Sequence, residues 1–285
     1  MPTDLRQHLN PSQLKAVTTI DKPILVIAGA GSGKTRVIEY KTLHLIQQGL
    51  EPQSILLLTF TRKAASEMLA RATRHDPRCE RIDGGTFHSF GFKLLKRYAQ
   101  AVGLTNSFSI LDDTDANELI GKCLVKMGFL DIERRFPKKE TLKGVISKSV
   151  NKQVSIKSIL EREYPQFEEF AMEITRLRET YSRYKREAGY VDYDDLLVYL
   201  KMLLQNGELR DRISSQYRYV MVDEYQDTNK LQGDIAYLLA ENHGNIMAVG
   251  DDAQSIYGFR GATHENIMDF PRNFPQCEII KLEYN

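Results

Sequence analysis

The stretch PILVIAGAGSGKTRV, Pro23 to Val37, constrains this chain more than any other. Ile24 to Ala28 is a short apolar run of the kind buried on both faces of a parallel sheet, and a helical pattern starts near Lys34. Between them, Gly29, Gly31 and Gly33 allow a tight turn that aims backbone N–H groups at an anion, with the positive end of the following helix facing the same place. Strand, glycine turn and helix in this order form a phosphate-binding loop. The usual pattern is Gly-x-x-x-x-Gly-Lys-Ser/Thr, and its first glycine position holds Ala28 here. A methyl group is tolerated at a strand end if the backbone does not need positive φ there. The expectation is that Ala28, Gly29, Ala30, Gly31, Ser32 and Gly33 cradle phosphates, that Lys34 reaches the β- and γ-phosphates, and that Thr35 ligates Mg²⁺. A glycine-rich turn without a ligand is the alternative.

Further apolar runs at 55–60, 219–222, 246–250 and 278–282 read as strands of the same sheet, and helical patterns separate them. Alternation of this kind predicts an α/β fold, a P-loop parallel sheet flanked by helices, with ligands at the carboxyl ends of the strands. The middle breaks the rhythm: helical segments such as DDTDANELIGKCLVKMG follow one another with no convincing strand. The predicted organisation is therefore an α/β domain in two parts, 1–90 and 191–285, around an all-helical insertion at 91–190. Between Arg134 and Lys157 the insertion carries Arg134, Arg135, Lys138, Lys139, Lys143, Lys148, Lys152 and Lys157 against the single acid Glu140. Such a run is either a solvated helix face or a patch for nucleic-acid phosphates. A net charge of only +1 means that any affinity for nucleic acid must come from a local patch.

Two later motifs carry acids. In YVMVDEYQDTN an apolar strand ends in Asp223 and Glu224, which would bring two carboxylates to the sheet edge beside the loop. Asp223 would hold Mg²⁺ through water, and Glu224 would orient and deprotonate an attacking water. In VGDDAQSIYGFRGA a strand ends in Asp251 and Asp252, Gln254 is placed to sense a γ-phosphate, and Tyr257, Phe259 and Arg260 follow. Aromatics with an arginine in a glycine-flanked loop suit stacking on single-strand bases, although in isolation burial in the core is the better reading for both rings.

Together with LNPSQLKAV, LLTFTRKAASEM, GTFHSF, VDYDDLL and the terminal KLEYN, these motifs fall in the order and approximate spacing of the UvrD/Rep-type superfamily 1 DNA helicases, which the whole chain resembles. That family ordinarily writes its loop AGAGSGKT, so Ala28 fits the resemblance. The resemblance implies a RecA-like ATP-binding domain that uses ATP and Mg²⁺, acts on single-stranded DNA and single-strand/duplex junctions, and translocates 3′ to 5′. It also implies that Gln13 reads the adenine edge, that Arg36 and Arg71 lie near the nucleotide, and that Gln254 couples the γ-phosphate to DNA. Phe60 and His88 fall at DNA-contacting positions, with Thr59, Thr61 and Thr86 as phosphate partners. A buried Phe60, a structural His88, an exposed helix-start Gln13 and salt-bridged surface arginines are the competing readings. Phe259 stands where familiar members carry Trp, and Arg62 replaces a common Asn.

In the family, KLEYN is followed by a Tyr-Arg pair and a second RecA-like domain, so the 285 residues are expected to be the N-terminal half of such an enzyme and to hydrolyse ATP poorly alone. Cys79, Cys123 and Cys277 show neither metal-ligand spacing nor a disulfide framework, and the start MPTDLRQHLN lacks the apolar core of a signal peptide. The apolar runs are too short to span a bilayer, which together predicts a cytoplasmic protein. Two rival readings stay open, a P-loop ATPase that does not act on DNA and the motor part of a helicase-nuclease complex.

Overall fold

The computed structural model describes residues 4–29, 31–129, 136–251 and 264–282. They form two compact units, one made of Met1–Phe90 with Leu204–Asn285 and the other of Gly91–Leu203.

In the first unit, strands β1 (Ile24–Ala28), β2 (Ile55–Thr59) and β3 (Asp83–Thr86) precede the insertion, and β6 (Tyr219–Val222), β7 (Ile246–Gly250) and β8 (Glu278–Leu282) follow it. They build one six-stranded sheet in the order β3-β2-β6-β7-β1-β8, parallel throughout, as the alternating pattern predicts. Helices α1 (Pro11–Thr18), α2 (Lys34–Gln47) and α3 (Arg62–His75) belong to this unit, and α4 (Phe87–Tyr98) starts in it and continues into the residues of the second. All four residues of β6 and all five of β7 are buried, and each large aliphatic side chain removed from water there contributes about 1.5–3 kcal/mol. One core cluster joins the faces of β1, β2, β6 and β7 to Val37, Ile38, Leu45 and Ile46 of α2 and to Met68 and Ala72 of α3.

Strand β3 is absent from the sequence-based expectation. Its residues, DGGT, contain no β-branched apolar run, and its glycines answer to packing: a Cβ on Gly84 would lie 2.6 Å from Leu69 Cδ1, and one on Gly85 2.6 Å from Ser89 Oγ. Thr86 then caps α4, because its hydroxyl accepts from the Ser89 amide at 3.1 Å while Ser89 Oγ accepts from the Thr86 amide at 2.9 Å.

The second unit contains α5 (Asp113–Lys126), α6 (Lys139–Lys152), α7 (Ile156–Glu163), α8 (Ala171–Ala188) and α9 (Tyr193–Gln205). Ile120, Leu142, Val145, Leu160, Ile174 and Leu177 form its core. It is not all-helical, because β4 (Ser109–Ile110) pairs in parallel with β5 (Tyr190–Val191). It also runs on to Leu203 instead of ending at 190. The reason lies in VDYDDLL: Lys185 of α8 reaches Asp192 at 2.5 Å and Asp195 at 2.6 Å, and the Tyr181 hydroxyl donates to Asp192 at 2.8 Å, so the start of α9 is bound to α8. Gly189 only ends α8, at φ 69°. Helices α10 (Gly207–Gln216), α11 (Lys230–Ala240) and α12 (His264–Asn273) return to the first unit.

Candidate nucleotide site

The phosphate loop leaves the carboxyl end of β1. Gly31 and Gly33 have φ of 81° and 91°, conformations in which a Cβ is disfavoured, whereas Ala28 stays in the strand, buried and paired with Leu282. Gly29 accepts from both the amide and the hydroxyl of Ser32, at 3.2 and 2.8 Å. Gly33 caps α2 without any side-chain acceptor for the helix's first amides. A helix start of this kind suits a bound anion.

Gln13 is buried and touches the loop. Its Nε2 donates to the Ser32 carbonyl at 3.0 Å, while its Oε1 accepts from the Asn10 amide at 3.1 Å as half of the box that caps α1. A Cβ on Gly33 would stand 2.6 Å from Gln13 Nε2, so the glycine makes room for this contact. The exposed alternative for Gln13 does not apply.

The order of strands decides what Lys34 meets. β7 lies between β1 and β6, so the residue beyond β7, Asp251, stands between the loop and the acidic pair. Lys34 Nζ is 3.3 Å from Asp251 Oδ2 and 3.6 Å from Glu224 Oε2. Asp223 is buried, and its amide donates to the Leu58 carbonyl at 2.9 Å. Its Oδ1 has no hydrogen-bond partner. Burial, reinforced by the charge of Glu224, pushes the Asp223 carboxyl up to about 6. A buried carboxylate oxygen lacking a donor is what a hydrated cation would satisfy. Among the described residues no cluster of three or more His, Cys, Asp and Glu side chains could hold a metal by itself. Mg²⁺ needs none, since one or two carboxylates and substrate phosphates normally complete its shell. The residues therefore fit a Mg²⁺–nucleotide.

A cavity of about 360 Å³ is lined by Lys34, Thr35, Thr61, Arg71, Asp223, Glu224 and Asp227. Arg36 is exposed on the first turn of α2 and is not among its lining residues. A second cavity, of about 230 Å³, is lined by Thr59, Phe60, Thr86, His88, Asp223, Glu224, Thr228 and Gln232. Phe60, Asp223 and Glu224 border both. Phe60 is 65% exposed, which removes the core reading for that ring. Thr59 Oγ1 donates to the Thr61 carbonyl at 2.7 Å, and Thr61 Oγ1 caps α3 by accepting from the Ala64 amide at 3.1 Å, so both hydroxyls have local structural partners. Ala30, Gln254, Tyr257, Phe259 and Arg260 lie outside the described residues.

Sequence reasoning missed Gln226. It is buried in the turn after Glu224, and only tertiary structure reveals its partners. The basic run of the helical unit is also less free than its composition suggests. Lys143 pairs with Asp113, Lys148 and Lys152 both pair with Glu163 at 2.6 Å, and Lys157 lies 3.5 Å from Glu161.

A parallel sheet whose carboxyl edge carries a glycine loop, a lysine and a strand-end carboxylate pair defines a P-loop nucleotide-binding domain. The chain belongs to the UvrD/REP helicase N-terminal domain family, whose profile matches residues 9–275. It is 37% identical to the ATP-dependent DNA helicase PcrA of Leuconostoc citreum, over 99% of this chain and 37% of that protein. It is 37% identical to the ATP-dependent DNA helicase Rep of Buchnera aphidicola, over 97% of this chain and 42% of that protein, and 34% identical to PcrA of Staphylococcus aureus, over 99% and 38%. The chain thus spans roughly two-fifths of the length of the curated relatives it matches.

Proposed function

We propose that this chain is the ATP-hydrolysing N-terminal part of a DNA helicase that moves along single-stranded DNA, 3′ to 5′, and opens duplex at junctions. The observation that carries the chemistry is the grouping of Lys34, Glu224 and Asp251 beside a buried Asp223 Oδ1 without a donor. The DNA reading rests on family membership and on the relatives' being ATP-dependent DNA helicases.

When bound, ATP with Mg²⁺ supplies the phosphoanhydride and the cation that neutralises it. Thr35 and Asp223 are the residues that would hold the cation. Lys34 exchanges its carboxylate partners for phosphate oxygens, and the amides of the loop and the α2 start bind the rest of the anion. Glu224 takes the proton of the attacking water. Arg71, on the cavity wall, adds positive charge. In a protein of the relatives' length, a second RecA-like domain would close the cleft and supply further arginines, so the 285 residues alone should turn over slowly. Phe60, with Thr86 and His88, borders a cavity contiguous with the same acidic pair and is assigned to the DNA side. No helix among the described residues is long and apolar enough to cross a membrane, and we place the protein in the cytoplasm.

The test is Glu224→Gln in the full-length protein. ATP binding should persist and hydrolysis should fall by about 10²-fold or more. Turnover near that of the unsubstituted enzyme would remove Glu224 as the base.

A further inference from the structure

Glu224 occupies a half-buried position on unfavourable backbone. Its φ and ψ are 48° and 46°, left-handed values uncommon for a residue with a Cβ, and its side chain is about one-third exposed. A carboxylate in such a place needs something to fix its direction if it is to meet a water in one geometry. Gln226 supplies the contact. Its Nε2 donates to Glu224 Oε2 at 2.6 Å and more weakly to Asp227 Oδ2 at 3.4 Å, and its Oε1 accepts from the Asp251 amide at 3.0 Å. The surroundings settle which end of the amide is which, because reversing it would set the oxygen against two carboxylates and the NH₂ against an N–H.

These contacts close a circuit. Lys34 Nζ lies 3.3 Å from Asp251 Oδ2, the Asp251 amide donates to Gln226, Gln226 donates to Glu224 Oε2, and that oxygen lies 3.6 Å from Lys34 Nζ. It joins three points of the sheet edge that follow β1, β6 and β7. Gly250, the last residue of β7, keeps the circuit tight: a Cβ there would stand 3.2 Å from Gln226 Oε1 and 3.3 Å from Ile267 Cδ1. A side chain at that position presses on the amide that holds Glu224 and on Ile267 beside it.

We infer that Gln226 is a positioning residue for hydrolysis, holding the Glu224 carboxylate in register with the end of β7. It touches neither phosphate nor water in this assignment and acts through Glu224. The inference rests on the reading of Glu224 as the base. Because the amide spans β6 and β7, the aim of Glu224 is tied to the position of the β7 end, and a shift of that end by a fraction of an ångström is transmitted to the carboxylate.

The experiment is steady-state ATP hydrolysis by the full-length protein, with and without single-stranded DNA, alongside equilibrium binding of a fluorescent ATP analogue and thermal melting. Gln226→Met should lower kcat by about 10²-fold while KM and analogue affinity change by less than about threefold. Gly250→Ala should lower kcat in the same direction, and it presses on the same contact if Gln226→Met does not fold; adding Ile267→Val, which relieves the Ile267 contact alone, should not restore kcat. Neither Gln226→Met nor Gly250→Ala should lower kcat further when combined with Glu224→Gln, since both act through that carboxylate. A kcat near that of the unsubstituted enzyme in the folded single variants would overturn the inference, as would a full additional loss on the Glu224→Gln background. If Glu224→Gln itself hydrolyses normally, the base assignment fails first, and that outcome is distinguishable from a failure confined to Gln226.

Discussion

Lys41 offers a sharp test of the energetics beneath the loop. It lies on α2, two turns beyond Lys34, and is fully buried. Its ammonium donates to the carbonyls of Ala16, at 3.3 Å, and Thr19 at the end of α1, and sits 5.0 Å from the centre of the Tyr219 ring. Burial brings its pKa from 10.5 down to about 7, with Asp21 opposing the shift. The unfolded chain thus holds this proton up to about pH 10 while the folded chain releases it near 7. Over that window the unfolded state binds more protons, so stability rises with pH. The full difference is on the order of 5 kcal/mol at about 1.4 kcal/mol per pH unit, and about 3 kcal/mol of it falls between about pH 7 and pH 9.5. Urea unfolding of the unsubstituted protein and of Lys41→Met at these two pH values isolates it, because contributions such as those of the cysteines, whose pKa values burial raises, are common to both. His44, held low by burial and then by Lys41, contributes below this window. The unsubstituted protein should gain about 3 kcal/mol relative to the variant on going from the lower to the higher pH. Equal pH slopes for the two proteins would refute the reasoning.

Gly33→Ala combines a left-handed backbone, about 1–2 kcal/mol of strain for a residue with a Cβ, with displacement of Gln13 from Ser32. Nucleotide affinity should fall at least about tenfold in a fluorescent-analogue titration. Lys185→Met leaves Asp192 and Asp195 buried without a cation, and unfolding of the helical unit should become easier by about 3–5 kcal/mol near neutral pH. Unpaired, these carboxylates have folded pKa values above their unfolded ones, so the deficit should shrink toward about pH 4, where protonation removes the charge, as equilibrium unfolding across that range would show. Replacing Lys138 and Lys139, exposed at the start of α6, by Gln should flatten the salt dependence of junction binding by about one to two units of slope if that helix end contacts phosphate. Replacing Lys148 and Lys152, already paired with Glu163, should change it less.

What could be read from the sequence was local or strongly patterned. The phosphate loop is a contiguous strand, turn and helix, and the five apolar strands stand out as Ile-, Val- and Leu-rich runs. β3 was invisible because its glycines serve Leu69 and Ser89 rather than a propensity for extended structure. The order β2-β6-β7-β1 comes from pairings between distant residues, and with it come the place of Asp251 beside Lys34 and the bridge made by Gln226. The exposure of Phe60 was equally beyond pattern, since an aromatic after an apolar strand reads as core until its neighbours are known. The partners of the basic run were legible only in part: Glu161 stands four residues after Lys157 on the same helix, whereas Asp113 and Glu163 are brought beside Lys143 and Lys148 by the fold.

The placement of β1 inside the sheet also sets the order in which the domain can be assembled. Both of its hydrogen-bonding neighbours, β7 and β8, are encoded late, the nearer beginning about 220 residues after β1. At about 5–20 residues per second, a ribosome needs on the order of 10–45 s to supply even the first of them. The helical unit, Gly91–Leu203, has all its own residues synthesised well before then. During that interval the strand that bears the phosphate loop is an unpaired apolar segment, open to whatever chaperone or neighbouring chain reaches it before β7 does.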